Sequence, residues 1–293
     1  MAITAAMVKE LRQRTGSGMM ECKKALVEAD GDLEAAIETM RKNGLAKADK
    51  KADRVAAEGC VIVKISDDGK RAVLVEVNSE TDFLSKSDQF QAFAAEIAEK
   101  ALESDVDSVE ALMALTMASG ETVEEKRRAL IAKLGENMNL RRFERFVSEE
   151  GILASYLHGS RIGVLVELKG GDAAVARDVA MHVAASKPVC VDESGVPAEL
   201  LEKEKEIFSA QALASGKPEA IIEKMVSGRI RKYLAEITLV GQAFIKEPDL
   251  TIAKLLKSKD AEAVRFVRYE VGEGIEKKED NFAEEVMAQV RGE

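Results

Sequence analysis

Residues that could perform acid–base, nucleophilic or metal chemistry are few in this chain. Its 293 residues include two histidines, His158 and His182, and three cysteines, Cys22, Cys60 and Cys190. A metal centre requires His, Cys or carboxylate pairs at helical or turn spacing, which the interval from His182 to Cys190 does not supply. The sequence contains no GxxxxGK[ST] phosphate-binding motif. We therefore expect no catalytic residues, no metal and no cofactor; an α+β enzyme that uses His158 or His182 is the alternative.

One short segment does combine residue types suited to the recognition of a partner. Thr81-Asp82-Phe83 follows Asn78-Ser79-Glu80 directly after a predicted strand. Thr81 is a suitable N-cap, and Asp82 suits the positive end of a helix. Phe83 has two interpretations: it fills the local core, or it is held at a loop tip beside an acid and anchors an interface. The residues alone favour neither.

The bulk properties indicate what kind of partner to expect. The net charge is −10 and the sequence pI is about 5.1, which argues against nucleic acid as the main partner because phosphate binding needs a basic face. No run of roughly 18 apolar residues is present, so no membrane span is expected. The N-terminus lacks the apolar region of a signal peptide, and three widely spaced cysteines do not make a disulfide framework. We expect a cytoplasmic protein.

Residues 1–44 are predicted to form a three-helix unit. Thr4 caps the first helix, a stripe of apolar residues marks the second, and Asn43-Gly44 ends the third. The apolar stripe of the second helix consists of Met19, Cys22, Leu26 and Ala29. Residues 45–58 form a polar linker that is partly helical. The basic residues in and beside it have two interpretations, a solvated linker or a contact with an acidic partner surface. They are Arg41, Lys42, Lys47, Lys50, Lys51 and Arg54.

Two similar segments follow, and we predict a core subdomain from each, at 59–148 and 149–280. In the first, CVIVKIS and RAVLVEV flank an Asp-Gly turn, which predicts a β-hairpin, and a helix follows from Gln89 to Leu102. In the second, RIGVLVEL at 161 parallels RAVLVEV at 71, and a helix follows again. The repeated order of elements predicts a duplicated α+β core.

A helical hairpin is predicted at residues 197–237. Its two antiparallel helices are joined by a Ser-Gly-Lys-Pro turn, and we expect a stripe on the second helix to be buried against Ile207 and Leu213. The stripe consists of Ile222, Val226, Ile230, Tyr233 and Ile237. After the hairpin, AVRFVRYEVGEG is expected to add a strand to the second sheet. A last helix is predicted within residues 281–293.

Five long segments, in order, resemble the elongation factor Ts family. They are TGSGMMECKKALVEADGDLEAAIETMRKNG, NSETDF, HGSRIGVLVEL, AMHVAASKP and RFVRYEVGEGIEKKEDNFAEEV. The resemblance covers essentially the whole chain. It implies a ubiquitin-associated-like N-terminal module, followed by a duplicated core of two antiparallel-sheet and helix subdomains with a helical-hairpin arm. Leu84 and Ser85 depart from residues common after the TDF triplet in this family, without touching the triplet itself.

The resemblance also implies a function that is not enzymatic. Such a factor binds elongation factor Tu in its GDP form and promotes GDP release non-covalently. Thr81, Asp82 and Phe83 would act as a wedge near the magnesium site of the GTPase. Further partner contacts implied by the family are Lys23, Met19, Met20 and His158. A homodimer through the second core subdomain is an additional expectation. The rival hypothesis is an adaptor whose residues 1–44 alone recruit other proteins.

Overall fold

The computed structural model describes residues 3–214, 216 and 218–276. The described helices, in chain order, are α1 (Ala5–Thr15), α2 (Met19–Glu28), α3 (Leu33–Asp49), α4 (Asp82–Ser85), α5 (Asp88–Glu103), α6 (Val109–Met113), α7 (Val123–Leu134), α8 (Ala173–Ser186), α9 (Ala198–Leu213), α10 (Glu219–Ile237) and α11 (Ile252–Ser258). The described strands are β1 (Glu58–Ile65), β2 (Arg71–Ser79), β3 (Met138–Val147), β4 (Ile152–His158), β5 (Ile162–Gly170), β6 (Ala243–Phe244), β7 (Glu247–Thr251) and β8 (Ala261–Glu270). The predicted helix within 281–293 lies outside the described residues.

The core consists of two antiparallel three-stranded sheets that repeat one design. Their strand orders are β1-β2-β3 and β4-β5-β8, so the repeated sequences RAVLVEV and RIGVLVEL form the two central strands. Each central strand is followed by helix, α4 and α5 in the first case and α8 in the second. The predicted duplication and the predicted last strand are confirmed. Strand β3 was not predicted, nor were the β6–β7 hairpin and α11.

The two sheets pack face to face, with helices on their outer faces. Alternate residues of a strand point to opposite faces, so a central strand in this position must be apolar on both. In β2, Val73 and Val75 face α5, whereas Leu74 faces the other sheet. In β5, Val164 faces α8 and Leu165 faces the first sheet. The order of layers is therefore helix, sheet, sheet, helix.

Close approach of the sheets depends on a glycine. A Cβ atom added to Gly163 in β5 would lie 2.4 Å from Val61 Cγ1 and 2.8 Å from Leu74 Cδ1. Both distances are shorter than real Cβ contacts, so any side chain at this position would push the sheets apart.

The N-terminal helices form a small unit with its own core. Thr4 caps α1 through a 3.3 Å bond from Met7 N, and Asp32 caps α3. The buried residues are Val8, Leu11, Cys22, Ala25, Leu26 and Ala36. The prediction that the third helix ends at Asn43-Gly44 is wrong, because α3 continues to Asp49. Gly44 lies against α7, where a Cβ would meet Ala132 Cβ at 3.2 Å, so packing continues the helix past its local stop signal.

The arm is an antiparallel pair, α9 and α10, although Ser215 and Lys217 of its turn lie outside the described residues. Phe208 meets Tyr233 edge to face, with ring centroids 6.2 Å apart. The prediction that Ile207 and Leu213 are buried is wrong, since both are exposed, Leu213 by 65%. Of the predicted stripe on the second helix, Val226 is buried as expected, and Ala212 and Leu234 are the other buried residues of the arm. Within the described residues, no helix is both long enough and apolar enough to cross a membrane.

Candidate functional site

Thr81, Asp82 and Phe83, here named the TDF corner, form the junction between β2 and the single turn of α4. The Thr81 hydroxyl caps this turn by accepting a 3.2 Å bond from Leu84 N. Phe83 is 84% exposed, whereas Leu84 is buried in the first core cluster. Phe83 therefore does not fill the core, and the neighbouring leucine does.

The carboxylate at the TDF corner is held in its charged form. Lys86 Nζ donates to Asp82 Oδ2 at 2.6 Å, and half of the Asp82 side chain is accessible. The hydrogen bond from Lys86 is the main cause that lowers the pKa of Asp82, with its positive charge contributing further. The corner thus presents an anion and an aromatic ring side by side.

Two carboxylates join the loop of the TDF corner to the loop that follows α7. Glu136 accepts from Thr81 N at 3.0 Å and from Thr81 Oγ1 at 2.9 Å. In return, Glu80 accepts a 2.5 Å bond from Asn137 N. Each loop therefore supplies a carboxylate to a backbone N–H of the other loop. The sequence analysis missed Glu136 and Asn137; the signal that could have found them is a polar pair directly after the Gly135 cap of α7.

The segment after α3 joins the same cluster. Arg54 pairs with Glu80 at 2.9 Å, and Asn137 Nδ2 donates to the carbonyls of Ala52 and Arg54 at 3.1 and 2.8 Å. The Lys51 ammonium donates to the Gly135 carbonyl. The stretch around residues 51–54 is therefore attached to the loops that hold the TDF corner.

Most of the basic residues with two open interpretations have partners inside the protein. Arg41 pairs with Glu125 of α7 at 2.6 Å, and Lys42 pairs with Glu38 at 2.8 Å. With Lys51 and Arg54 as described above, four of the six residues bind groups of this chain. Arg41 and Lys42 are nevertheless 60% and 72% exposed in these pairs, so both interpretations stay open for them.

His158 lies at the same end of the sandwich as the TDF corner. It is the exposed last residue of β4, stacked on Tyr156 with ring centroids 6.4 Å apart. The turn that follows is fixed to β1, because Val61 N donates to Ser160 O at 2.8 Å and Arg161 pairs with Glu58 at 2.7 Å. Glu58 is the β1 residue opposite Ser79, two residues before Thr81. Sequence alone could not show that the turn after β4 lies beside the segment that carries the TDF corner.

The other residues singled out from the sequence lie on α2. Met19 and Met20 are 57% and 76% exposed, and Lys23 is exposed one turn further along. Met19 was predicted to belong to the buried stripe, and that prediction is wrong. Among the described residues, no hydrogen bond or ion pair joins these three side chains to the TDF corner. They form a separate exposed surface on the N-terminal unit.

His182 is a packed core residue. It is fully buried, with Nε2 2.9 Å from Gln242 Oε1 and Nδ1 accepting from Ile245 N at 3.3 Å. Burial lowers its pKa, which keeps the ring neutral. Within the part of the chain that the structure describes, no group of three or more His, Cys, Asp or Glu side chains could hold a metal ion.

The comparisons with known proteins agree with this architecture. A family model described as Elongation factor TS matches residues 80–273, which begin at the TDF corner and end just after β8. The elongation factor Ts of Methylococcus capsulatus is 67% identical over 291 residues, 99% of each chain. That of Thioalkalivibrio sulfidiphilus is 66% identical over 293 residues, 100% of each chain. That of Legionella pneumophila is 57% identical over 289 residues, 99% of each chain.

By class, then, the protein is a translation elongation factor with an α+β fold of N-terminal helices and paired antiparallel sheets. It belongs to the elongation factor Ts family.

Proposed function

We propose that this protein binds elongation factor Tu in its GDP-bound form and promotes GDP release without covalent chemistry. The observation that carries this proposal is the pairing of an ionised Asp82 with an 84% exposed Phe83 on a corner whose backbone is fixed. A single exposed apolar residue is ordinary on protein surfaces. A large aromatic side chain held rigidly beside a charge has the character of an interface anchor.

The TDF corner, in this proposal, inserts next to the magnesium-binding region of the GTPase. Displacement of that region weakens the coordination of Mg²⁺ and the contacts to the phosphates, so GDP dissociates faster. The driving force is differential binding, because the factor must bind the nucleotide-free GTPase more tightly than the GDP-bound form. Linkage then requires that nucleotide weakens binding of the factor by the same ratio.

The other exposed residues supply additional contacts to the same GTPase. His158 lies at the same end of the sandwich as the TDF corner, so one partner domain can touch both. Met19, Met20 and Lys23 provide a second surface on the N-terminal unit. A homodimer through the second core subdomain, the absence of direct nucleic-acid binding and a cytoplasmic location all stay predictions.

The test is the release of a fluorescent GDP analogue from elongation factor Tu. The wild-type protein is expected to accelerate release at substoichiometric concentration, and the Asp82→Ala, Phe83→Ala double variant to lose most of that acceleration. Val147→Ala is the matched control, because Val147 is an exposed apolar residue at the opposite end of the same sheet, paired with Arg71 rather than lying near Ser79.

The same assay separates the rival hypotheses. Full acceleration by the double variant would retain the exchange function but discard the TDF corner as its agent. Absence of acceleration by the wild type, with an active GTPase, would refute the exchange function. An adaptor that works through residues 1–44 would bind the GTPase but leave the rate of release unchanged.

A further inference from the structure

The two loops that hold the TDF corner are connected by a reciprocal exchange of carboxylates, here named the carboxylate clasp. It consists of the bonds that Glu136 accepts from Thr81 and the bond that Glu80 accepts from Asn137 N. We propose that Glu136 is a positioning residue for nucleotide exchange, which sets the direction of Phe83 through Thr81. This inference rests on the proposed function, since it names what prepares the TDF corner for insertion.

The corner needs such support because its own helix is minimal. α4 is a single turn of four residues, and its backbone bonds are long, at 3.3 Å from Ser85 N to Thr81 O and 3.3 Å from Lys86 N to Asp82 O. One helical turn is not stable in isolation, because its nucleation cost exceeds the gain from one or two hydrogen bonds. The position of Phe83 must therefore be determined by contacts from outside the turn.

Glu136 provides that contact at the start of the turn. Every hydrogen bond that its carboxylate makes within the described residues comes from Thr81, one from the backbone N–H and one from the hydroxyl. The same hydroxyl oxygen accepts from Leu84 N, so the cap of α4 and the bond to Glu136 share one atom. Bonds to an ionised acceptor are about twice as strong as neutral ones. Loss of Glu136 would loosen the cap as well as the corner.

The second half of the clasp fixes the other loop. Glu80, whose side chain is 13% exposed, accepts from Asn137 N and from Arg54 Nη2. Asn137 in turn donates to two carbonyls in the segment after α3. Glu136 is thus itself held in place by its neighbour. The clasp connects the TDF corner to α7 and to the end of α3, both of which are packed elements.

A fixed corner increases exchange because less conformational entropy is lost when Phe83 enters the partner. Contacts made elsewhere, by His158 or α2, do not depend on the clasp. A loosened corner should therefore reduce the maximal rate of release while leaving the half-saturating concentration of the factor nearly unchanged. A lower maximal rate at an unchanged half-saturating concentration distinguishes a positioning role of Glu136 from a general loss of structure.

The first experiment measures the mobility of the corner without the GTPase. The chain contains no tryptophan, so Phe83→Trp introduces one fluorophore at the exposed position. Adding Glu136→Ala is expected to lower the fluorescence anisotropy of this tryptophan. Adding Asp172→Ala, which removes one capping bond of 2.9 Å from α8 in the other subdomain, is the control and should leave it unchanged. Equal anisotropy with and without Glu136 would overturn the proposal whatever the exchange assay gives.

The second experiment measures release of the fluorescent GDP analogue with Glu136→Ala, with the Asp82→Ala, Phe83→Ala variant and with all three changes. Glu136→Ala should lower the maximal rate about three- to tenfold, and the triple variant should fall no further than the double variant, since coupled residues are not additive. Glu136→Gln keeps one acceptor for Thr81 N and should recover at least half of the lost rate. A folded Glu136→Gln protein as slow as Glu136→Ala would contradict the hydrogen-bond account.

The outcomes of the second experiment separate the positioning role of Glu136 from the proposed exchange function. A wild-type rate for Glu136→Ala, with an impaired double variant, would overturn the positioning role and retain the wedge. A further loss in the triple variant would place the effect of Glu136 elsewhere and overturn the role too. A fully active double variant would retain the exchange function but overturn both the wedge and the positioning role of Glu136.

Discussion

Glu76 and Glu167 occupy equivalent positions in the two sheets. Each ends the shared sequence VLVE, and each lies directly before a register shift in its sheet. Arg142 Nε donates to Glu76 at 2.6 Å, and Arg265 Nε donates to Glu167 at 2.7 Å. The guanidinium of Arg142 lies 4.1 Å from the ring centroid of Tyr269, and that of Arg265 lies 4.1 Å from that of Phe146. Each arginine thus stacks on an aromatic residue of the opposite sheet. The same arrangement of glutamate, arginine and aromatic ring therefore occurs once in each direction between the two subdomains.

Replacement of Glu76 by alanine is expected to destabilise the protein more than the same change at Glu167. Glu76 is fully buried and also accepts from Arg141 Nη1 at 3.0 Å and from Gly272 N at 2.8 Å. Its removal leaves Arg141 without its carboxylate and Arg142 with only the longer pair to Glu273 at 3.7 Å, which costs about 3–5 kcal/mol. Chemical denaturation would measure the loss, with the exposed Glu262→Ala as a control expected to stay within about 0.5 kcal/mol. A smaller loss for Glu76 than for Glu167 would contradict this ranking.

Gly163→Ala tests whether the sheet interface tolerates an added methyl group. The 2.4 Å approach to Val61 predicts overpacking, with a loss of about 1–3 kcal/mol in the free energy of unfolding. Gly228→Ala is the matched comparison, because Gly228 lies inside α10 with open space around its Cα. There, the higher helix propensity of alanine should raise stability by up to about 1 kcal/mol. Thermal unfolding of both variants would show opposite shifts in Tm.

Glu270 should make stability depend on pH in the acid range. Hydrogen bonds from Lys187 at 2.6 Å and Arg268 at 2.8 Å lower its pKa to about 2. Between the ordinary pKa of a glutamate and about pH 2, the unfolded chain is protonated at this position and the folded protein is not. The stabilisation from Glu270 is therefore complete above roughly pH 5 and is lost as the pH falls towards 2. Glu270→Gln should lose about 1 kcal/mol at pH 7, after allowance for solvent screening. Denaturation curves from pH 7 to pH 2 should converge for the two proteins, and a constant difference would contradict the assignment.

Phe83→Ala should separate activity from stability. Because most of the Phe83 side chain is exposed, its removal changes little buried area, and the free energy of unfolding should stay within about 0.5 kcal/mol. If Phe83 anchors the interface, its loss should reduce the rate of GDP release at least tenfold, since interface anchors contribute about 2 kcal/mol or more. Parallel denaturation and exchange measurements would check both statements. Leu84→Ala, at the buried neighbour, should instead reduce stability.

Much of the local structure was predictable because short-range chemistry determines it. The Asp-Gly turn before RAVLVEV predicted the first hairpin, and the repeated strand sequence predicted the second sheet. The capping role of Thr81 follows from its position before an acid at a strand-to-helix junction. Strand β3 was missed because its sequence, MNLRRFERFV, places arginines between its apolar residues. Two of those arginines bind Glu76 on β2, the neighbouring strand of the same sheet, a contact that no local pattern reveals.

The sequence by itself determined the fold class, the duplicated core, the candidate residues of the TDF corner and the family to which the chain belongs. Tertiary structure alone decided that α3 runs past Gly44, that Phe83 is exposed while Leu84 is buried, and that His158 lies near the TDF corner. The physical reason is the range of the interactions. Turns, caps and apolar periodicity act over a few residues, whereas the bond from Thr81 to Glu136 spans 55 positions and the bond from Gly272 to Glu76 spans 196. The first contact exists only once β2, α7 and β3 have come together, and the second only once the two sheets have packed against each other.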